Sequence, residues 1–504
     1  MKGLAEKKRA RAQFFTPPAV AGFIWRLVSE YVEGDLAQCR VIDPSAGEGV
    51  FLDVGLRAGL IRSSSAFGIE LDEDLAPAGR AVEARWFRGD ALTSRFPDVE
   101  DGTFDVVVGN PPFGRASAIL PKEVIDSLAG DQTSPFARWR AASESAEVEQ
   151  LFLERALQLV RPRGLVAFIM PDGFLANERA QAARDWALEH AAVLAVVSLP
   201  AATFRTSGLN ATTSTVILRR HSATRKRPRP LMAGISAERQ ASLAEDLDTL
   251  GDLISYSISG RRSKKIDRQC FKVNKKSLGG NRWDVPFCRL TEGGWNIPGD
   301  WPLARLGEFV EHITYGPIVT GRKPTHVKGG VPVVLQGDFT ETGLKLSPEL
   351  RVKAGSEWDP LRSRVVQGDL LLPRSGSGSL GRNRLAVYLD QSPANVGCFV
   401  DLVRLSGVNP FYVWVYFRSS PGWSQIRSLL NGVGTPNINF SEIRALQIPV
   451  IPDEEQSRLQ SRYVDEVLPL HKRGEGSPAA RNQAFIKFQE VVGDLERFLG
   501  VVTT

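Results

Sequence analysis

Cysteine and histidine are scarce in this 504-residue chain, with four of one and five of the other. Cys39, Cys270, Cys288 and Cys398 are scattered and the histidines are isolated. Neither a disulfide framework nor a metal-ligand spacing can be drawn from them, so a mechanism without a metal is expected. The chain lacks an apolar run long enough to span a bilayer and lacks a secretory signal. Both absences point to a cytoplasmic protein with no membrane partner, in a compartment that keeps thiols reduced. Internal repeats are also missing. What is present is a hydrophobic content of 42%, enough to bury cores in two or three domains, and a net charge of +6 that suits a polyanionic partner. The basic residues form runs: Lys7-Lys8-Arg9 with Arg11, Arg219-Arg220 leading to Arg225-Lys226-Arg227-Pro228-Arg229, and Arg261-Arg262 with Lys264-Lys265. Phosphate contact and a solvated linker are both open readings of the stretch from 219 to 230.

The tetrapeptide Asn110-Pro111-Pro112-Phe113 follows an apolar run, Phe104-Asp105-Val106-Val107-Val108-Gly109, that reads as a buried parallel strand. In open α/β sheets ligands bind outside the carboxyl ends of the strands. The two prolines carry no N–H, so the tip offers oxygen acceptors beside an aromatic face. The Asn110 side-chain oxygen and the Pro111 carbonyl can accept the two N–H bonds of an exocyclic amino group while Phe113 stacks on the planar base that carries it. A stiff turn at a strand end is the plain alternative.

Upstream, Val41-Ile42-Asp43-Pro44-Ser45-Ala46-Gly47-Glu48-Gly49 reads as a strand and a glycine turn opening a helix. The third glycine of the dinucleotide fingerprint is missing, as is the Lys-Ser/Thr of a phosphate loop. A pyrophosphate ligand is therefore disfavoured against a phosphate-free nucleoside, and S-adenosylmethionine is the expected cofactor. A second strand, Ala66-Phe67-Gly68-Ile69, ends in Glu70, placed to accept the ribose hydroxyls. A third, within Arg85-Trp86-Phe87-Arg88-Gly89-Asp90-Ala91-Leu92, puts Asp90 where it can accept from the adenine amino group of the cofactor.

The order of these motifs resembles the gamma-class N6-adenine DNA methyltransferases, the TaqI-like type II restriction-modification methylases, whose first motif is matched by Gln13-Phe14-Phe15-Thr16-Pro17-Pro18. The resemblance covers about residues 13 to 220. It implies a seven-stranded class I S-adenosylmethionine-dependent methyltransferase domain, Rossmann-like and α/β, completed by strands at Leu165 to Met170, Val193 to Leu199 and Thr213 to Leu218. It also implies cofactor contacts from Phe15, Thr16, Pro17, Asp43, Ser45, Ala46, Gly47, Gly49, Glu70, Asp90, Ala91 and Asn110, with Thr16 at the methionine carboxylate. Catalysis falls to Asn110, Pro111, Pro112 and Phe113. A flipped-out adenine is stacked by Phe113 and, from a late loop, by Phe204, with Phe174 competing for that second place and burial in the core open for both. Transfer from a sulfonium needs positioned acceptors rather than a strong base.

A second domain begins near Trp301. Its short strands and turns resemble the target-recognition domains of type I restriction specificity subunits, through Gly368-Asp369-Leu370-Leu371-Leu372, Arg374-Ser375-Gly376, Asn409-Pro410-Phe411-Tyr412, Thr435-Pro436-Asn437-Ile438-Asn439 and Ile448-Pro449. The fold class expected there is mixed α+β with C-terminal helices. Arg374, Ser375, Arg382 and Arg384 are the candidates for contacts with double-stranded DNA, or else turn residues. The expected division is a catalytic domain over 1–220, a basic linker over 221–300, the recognition domain over 301–452 and helices over 453–504. A monomer on an asymmetric site and a homodimer on a two-part site both stay open, and a separate restriction endonuclease is a candidate partner. The rival readings are an RNA methyltransferase, a cytosine-N4 methyltransferase, a protein glutamine methyltransferase sharing the tetrapeptide, and an inactive DNA-binding protein.

Overall fold

The computed structural model describes residues 15–72, 83–130, 138–139, 146–200, 203–204, 212–222, 228–234, 242–260, 269–274, 278, 282–293, 297, 299, 301–319, 322–346, 350–430, 437–474 and 477–501. The basic runs at 7–11, 225–227 and 261–265 lie outside the described residues, as do Gln13 and Phe14. The chain forms two compact units, Met1–Gly293 and Gly294–Thr504.

The first unit is built on one mixed sheet of nine strands. They are β1 (Val41–Asp43), β2 (Ala66–Glu70), β3 (Arg85–Arg88), β4 (Phe104–Gly109), β5 (Val160–Pro171), β6 (Ala191–Ser198), β7 (Thr213–Arg220), β8 (Leu231–Ala233) and β9 (Cys270–Lys272). Their order is β3-β2-β1-β4-β5-β7-β6-β8-β9. Strands β1 to β5 run parallel, and β7 enters antiparallel between β5 and β6. Between β1 and β4 the chain changes direction of travel across the sheet, so the strand tips Asp43 and Gly109 flank a topological switch point.

The strands of this core read as continuous apolar runs because both faces are covered. Successive residues alternate between two buried layers. Ile42, Val107, Val166 and Phe168 face one; Val41, Val106, Val108 and Ala167 face the other. Three helices matter for the site: α1 (Pro18–Tyr31), which Pro18 opens at its first position, α2 (Val50–Arg57), and α3 (Val148–Leu159).

Residues 221–300 differ from the expected linker. Strands β8 and β9 extend the sheet beyond seven, and α4 (Leu243–Ile258), opened by a Ser242 and Glu245 capping box, packs on α1. There Arg26 pairs with Asp252 at 2.8 Å, and a side chain at Gly251 would meet Arg26 at 2.4 Å, so the helices meet at a glycine. Trp283, fully buried, lies edge-on to Phe174 and donates its backbone N–H to the Leu175 carbonyl. Up to Gly293 the segment belongs to the first unit, whose core its apolar residues complete.

The second unit holds a two-stranded pairing of Leu303–Arg305 with Gln447–Pro449 and two sheets of four strands. Val310–Tyr315, Val400–Leu405, Leu370–Pro373 and Ala386–Val387 lie side by side and antiparallel. Arg351–Val352, Val331–Val334, Ala394–Val396 and Arg364–Val365 form the other, with Val331–Val334 parallel to Ala394–Val396. Helices Pro410–Arg418, capped by Asn409, and Pro478–Phe498 pack through Trp414 and Phe488, whose rings are 4.9 Å apart. Among the described residues no helix is long and apolar enough to cross a membrane, and no cluster of side chains could hold a metal ion.

Candidate active site

A cleft of about 380 Å³, within the range of small-molecule sites, opens at the switch point. The turn between β1 and α2 forms its floor. Gly47 (φ +54°) and Gly49 (φ +81°) take the left-handed conformation that brings the backbone round, and Gly49 caps α2. The turn is tied to the tip of β2: the Ala46 N–H donates to the Ile69 carbonyl at 2.9 Å and the Gly47 N–H to Glu70 Oε2 at 2.7 Å. Gly109 is needed where β4 passes β1, because a Cβ there would lie 2.8 Å from Asp43 Oδ1.

The cleft is lined by Phe15, Thr16, Pro17, Pro18, Asp43, Ser45, Ala46, Gly47, Glu48, Val50, Phe51 and Asn110. Eight of the positions expected to contact the cofactor therefore share one wall, whereas Gly49, Glu70, Asp90 and Ala91 are not in it. Two acids and no basic side chain stand in that wall. Asp43 is 1% exposed and accepts the Ser45 N–H at 3.0 Å; burial pushes its carboxyl up to about 8, with the negative Glu70 adding to the rise. Burial also raises Glu70, against the hydrogen bonds it accepts from the backbone N–H groups of Asp72 and Gly47. Asp90 accepts from the Leu92 and Thr93 N–H groups at 3.2 and 3.0 Å, which fixes its carboxylate at the end of β3. The Ala91 carbonyl is held by Arg155 Nε at 2.9 Å.

Asn110 leaves β4 into the cleft and donates from Nδ2 to Thr16 Oγ1 at 3.1 Å. This bond joins the segment that opens the chain's first motif to the tetrapeptide 94 residues later. The sequence reading assigned the two residues separately and missed their contact, and it also missed Pro18, Glu48, Val50 and Phe51. Pro18 and Glu48 lie within the motifs and Val50 and Phe51 directly follow one, so their position in the chain was the available signal. Phe113 is half-buried beside the layer that contains α1.

Phe204 stands differently from expectation. It is 2% exposed among Leu194, Leu199, Ile217 and other members of the apolar layer, so its ring is core and presents no open face to a base. Phe174, at 3%, is core as well, against Trp283. In the second unit Arg374 lies over the Tyr315 ring at 4.0 Å with its Nε 3.2 Å from Asp401. Arg384 spends Nε and Nη2 on Glu341, at 3.0 and 2.8 Å. Ser375 forms a β-bridge with Asn437, and Arg382 is exposed.

The donor set fits a cationic, phosphate-free nucleoside. A pyrophosphate would meet two carboxylates and no cation, whereas a sulfonium would offset the buried Asp43. Residues 78–204 match the family described as Eco57I restriction-modification methylase. The type II methyltransferase M.XhoI of Xanthomonas vasicola is 29% identical over 220 residues, covering 36% of this chain and 38% of that protein. M.HincII of Haemophilus influenzae is 23% identical over 188 residues, covering 36% and 32%. The chain thus spans about a third of the length of these relatives. The type IIG restriction endonuclease BpuSI shares the fold across 97% of this chain and 68% of its own, with a TM-score of 0.52 at 13% identity. Over residues 78–204 the chain is therefore similar to a restriction-modification methylase domain of the Eco57I type.

Proposed function

We propose that the protein is a DNA methyltransferase of a restriction-modification or phage-defence system, acting on N6 of an adenine flipped out of double-stranded DNA. The observation that carries this reading is the placement of Asn110, at the tip of β4 and hydrogen-bonded to Thr16, in the wall of a cleft with acids and no base. S-adenosylmethionine, when bound, supplies a methyl group already activated by the sulfonium charge. The chain's own residues then need only bind and orient the acceptor. The Asn110 oxygen and the Pro111 carbonyl accept the two N–H bonds of the amino group, which favours a pyramidal nitrogen and localises its lone pair. Phe113 stacks on the ring and returns part of the unstacking cost, on the order of a few kcal/mol. In this reading Gly47 meets the nucleoside from the cleft wall, held in place by the hydrogen bond from its N–H to Glu70.

The second unit serves as the recognition domain in this reading, with Arg374 and Arg382 as its leading DNA contacts. Arg384, neutralised by Glu341, and Ser375, held in a bridge, shape the loop between them. The site of action is the cytoplasm of a bacterial or archaeal cell, beside a separate endonuclease or without one. In cells expressing the protein, long-read sequencing should show N6-methyladenine in one motif, and Asn110→Ala should abolish it while cofactor binding persists. A cytosine-N4 signal, or methylation that survives the substitution, would overturn the assignment.

A further inference from the structure

The chain leaving the tetrapeptide is gripped from one side. Glu149, second residue of α3, is 6% exposed, and its Oε2 accepts the Gly114 N–H at 2.9 Å. The Val148 N–H donates to the Gly114 carbonyl at 2.7 Å, so both polar groups of the residue after Phe113 are held by the first turn of one helix. Arg115 and Glu147 then pair as an antiparallel bridge, and the Ala116 N–H donates to the Ala146 carbonyl at 2.9 Å. Gly114 itself has φ +115°, a conformation that other residues rarely adopt.

The acid at 149 needs a reason. It sits among apolar neighbours in the same buried layer as Ala116, Leu151 and Phe152, and burial pushes its carboxyl up to about 7. A leucine would fill the space without desolvating a charge, but it would leave the half-buried Gly114 N–H without its acceptor. The position at the amino end of α3 eases the burial, since the helix dipole favours a carboxylate there.

We propose that Glu149 is a positioning residue for methyl transfer: with the Val148 N–H it clamps the Gly114 peptide, and so fixes where the Phe113 ring and the proline carbonyls meet the acceptor base. The proposal rests on reading Asn110 to Phe113 as the transfer site. It assigns Glu149 no contact with either substrate.

The test uses the full chain, unmethylated plasmid DNA and tritiated S-adenosylmethionine, with cofactor affinity measured in parallel by calorimetry. Two variants open the clamp independently. Glu149→Leu removes the acceptor. Val148→Pro removes the other donor at a first helical position, where proline is tolerated, after a residue already extended (Glu147 φ −92°, ψ 142°). Glu149→Gln keeps an acceptor oxygen and is the rescue. Each of the first two should lower kcat roughly 10- to 100-fold, because small misplacements of reacting groups cost that much. Cofactor Kd should stay within about twofold and Glu149→Gln close to wild type. Unchanged kcat in Glu149→Leu and Val148→Pro overturns the clamp, as does a parallel loss of cofactor binding or a Gln variant as impaired as the Leu variant. Wild-type protein that binds cofactor yet methylates no nucleic acid instead overturns the reading beneath it, and the clamp falls with that reading.

Discussion

Buried acids behave in opposite ways in the two units. In the first, Asp43 in the cleft wall and Glu70, which accepts the Gly47 N–H, are buried, no basic side chain stands in that wall, and both carboxyls are pushed up. In the second, burial also acts on Asp359, but Arg364, the Gly355 N–H and Asn395 outweigh it and bring the carboxyl down to about 2. Asp369 accepts from Nε and Nη2 of Arg404, each at 2.8 Å. The difference separates acids paired with a base of the chain from acids buried where the surrounding wall holds none. Asp401 stands between the two kinds: Arg374 lowers it, yet burial wins and holds it up at about 8.

The comparison is broken most severely by removing an acid whose partner is internal. Asp359→Ala strands Arg364 and the Asn395 amide, and should cost about 2 kcal/mol of stability, the penalty of leaving a buried amide N–H without its acceptor. Urea denaturation reads this directly. Since the folded carboxyl lies below its unfolded value of 3.8, this stabilisation is complete above pH 4 and disappears as pH falls towards 2.

Asp43 sharpens the comparison from the other side. Its folded carboxyl, near 8, lies above the unfolded value of 3.8, so the fold holds a proton that the unfolded chain releases. Stability from this group is full below pH 3.8 and falls as pH rises towards 8. A bound cation favours the carboxylate, so affinity for S-adenosylmethionine should rise between pH 6 and 8 with release of a proton. Calorimetry in two buffers of different ionisation enthalpy detects that proton. Asp43→Asn should flatten the profile and weaken binding about tenfold, equivalent to about 1.4 kcal/mol. An Asn variant that keeps the wild-type slope would show that another group titrates.

The smallest effect belongs to a neutral contact. Thr16→Val deletes the hydroxyl that receives the Asn110 amide and should lower kcat about fivefold, the value of a net hydrogen bond near 1 kcal/mol.

Much of the site was legible because β1, β2 and β4 are largely apolar runs that stop at a chemically telling residue, and in an α/β sheet those stops gather at one edge. Asp43, Ser45 to Gly47 and Asn110 were found in this way and line one cleft. Contacts across the chain were not legible. The bond from Thr16 to Asn110 spans 94 residues and that from Glu149 to Gly114 spans 35, and no local pattern announces either. Strands β8 and β9 escaped notice because each has three residues, too few to show a period, amid basic and proline-rich chain. Phe204 was misplaced for a related reason: an aromatic residue in a loop reads as available until its neighbours are known, and Leu199 and Ile217 cover it.

The alternation of β4 between two buried layers has a consequence for how the gene tolerates change. Asn110 follows Gly109, the last sheet residue, with nothing between core and site. Inserting or deleting one codon within β4 would send Val106, Val107 and Val108 to the wrong layers and at the same time carry the tetrapeptide about 3.3 Å along the strand axis. Substitutions can test residues here one by one, but the spacing can change only with the whole sheet, so drift in length is confined to the loops on either side.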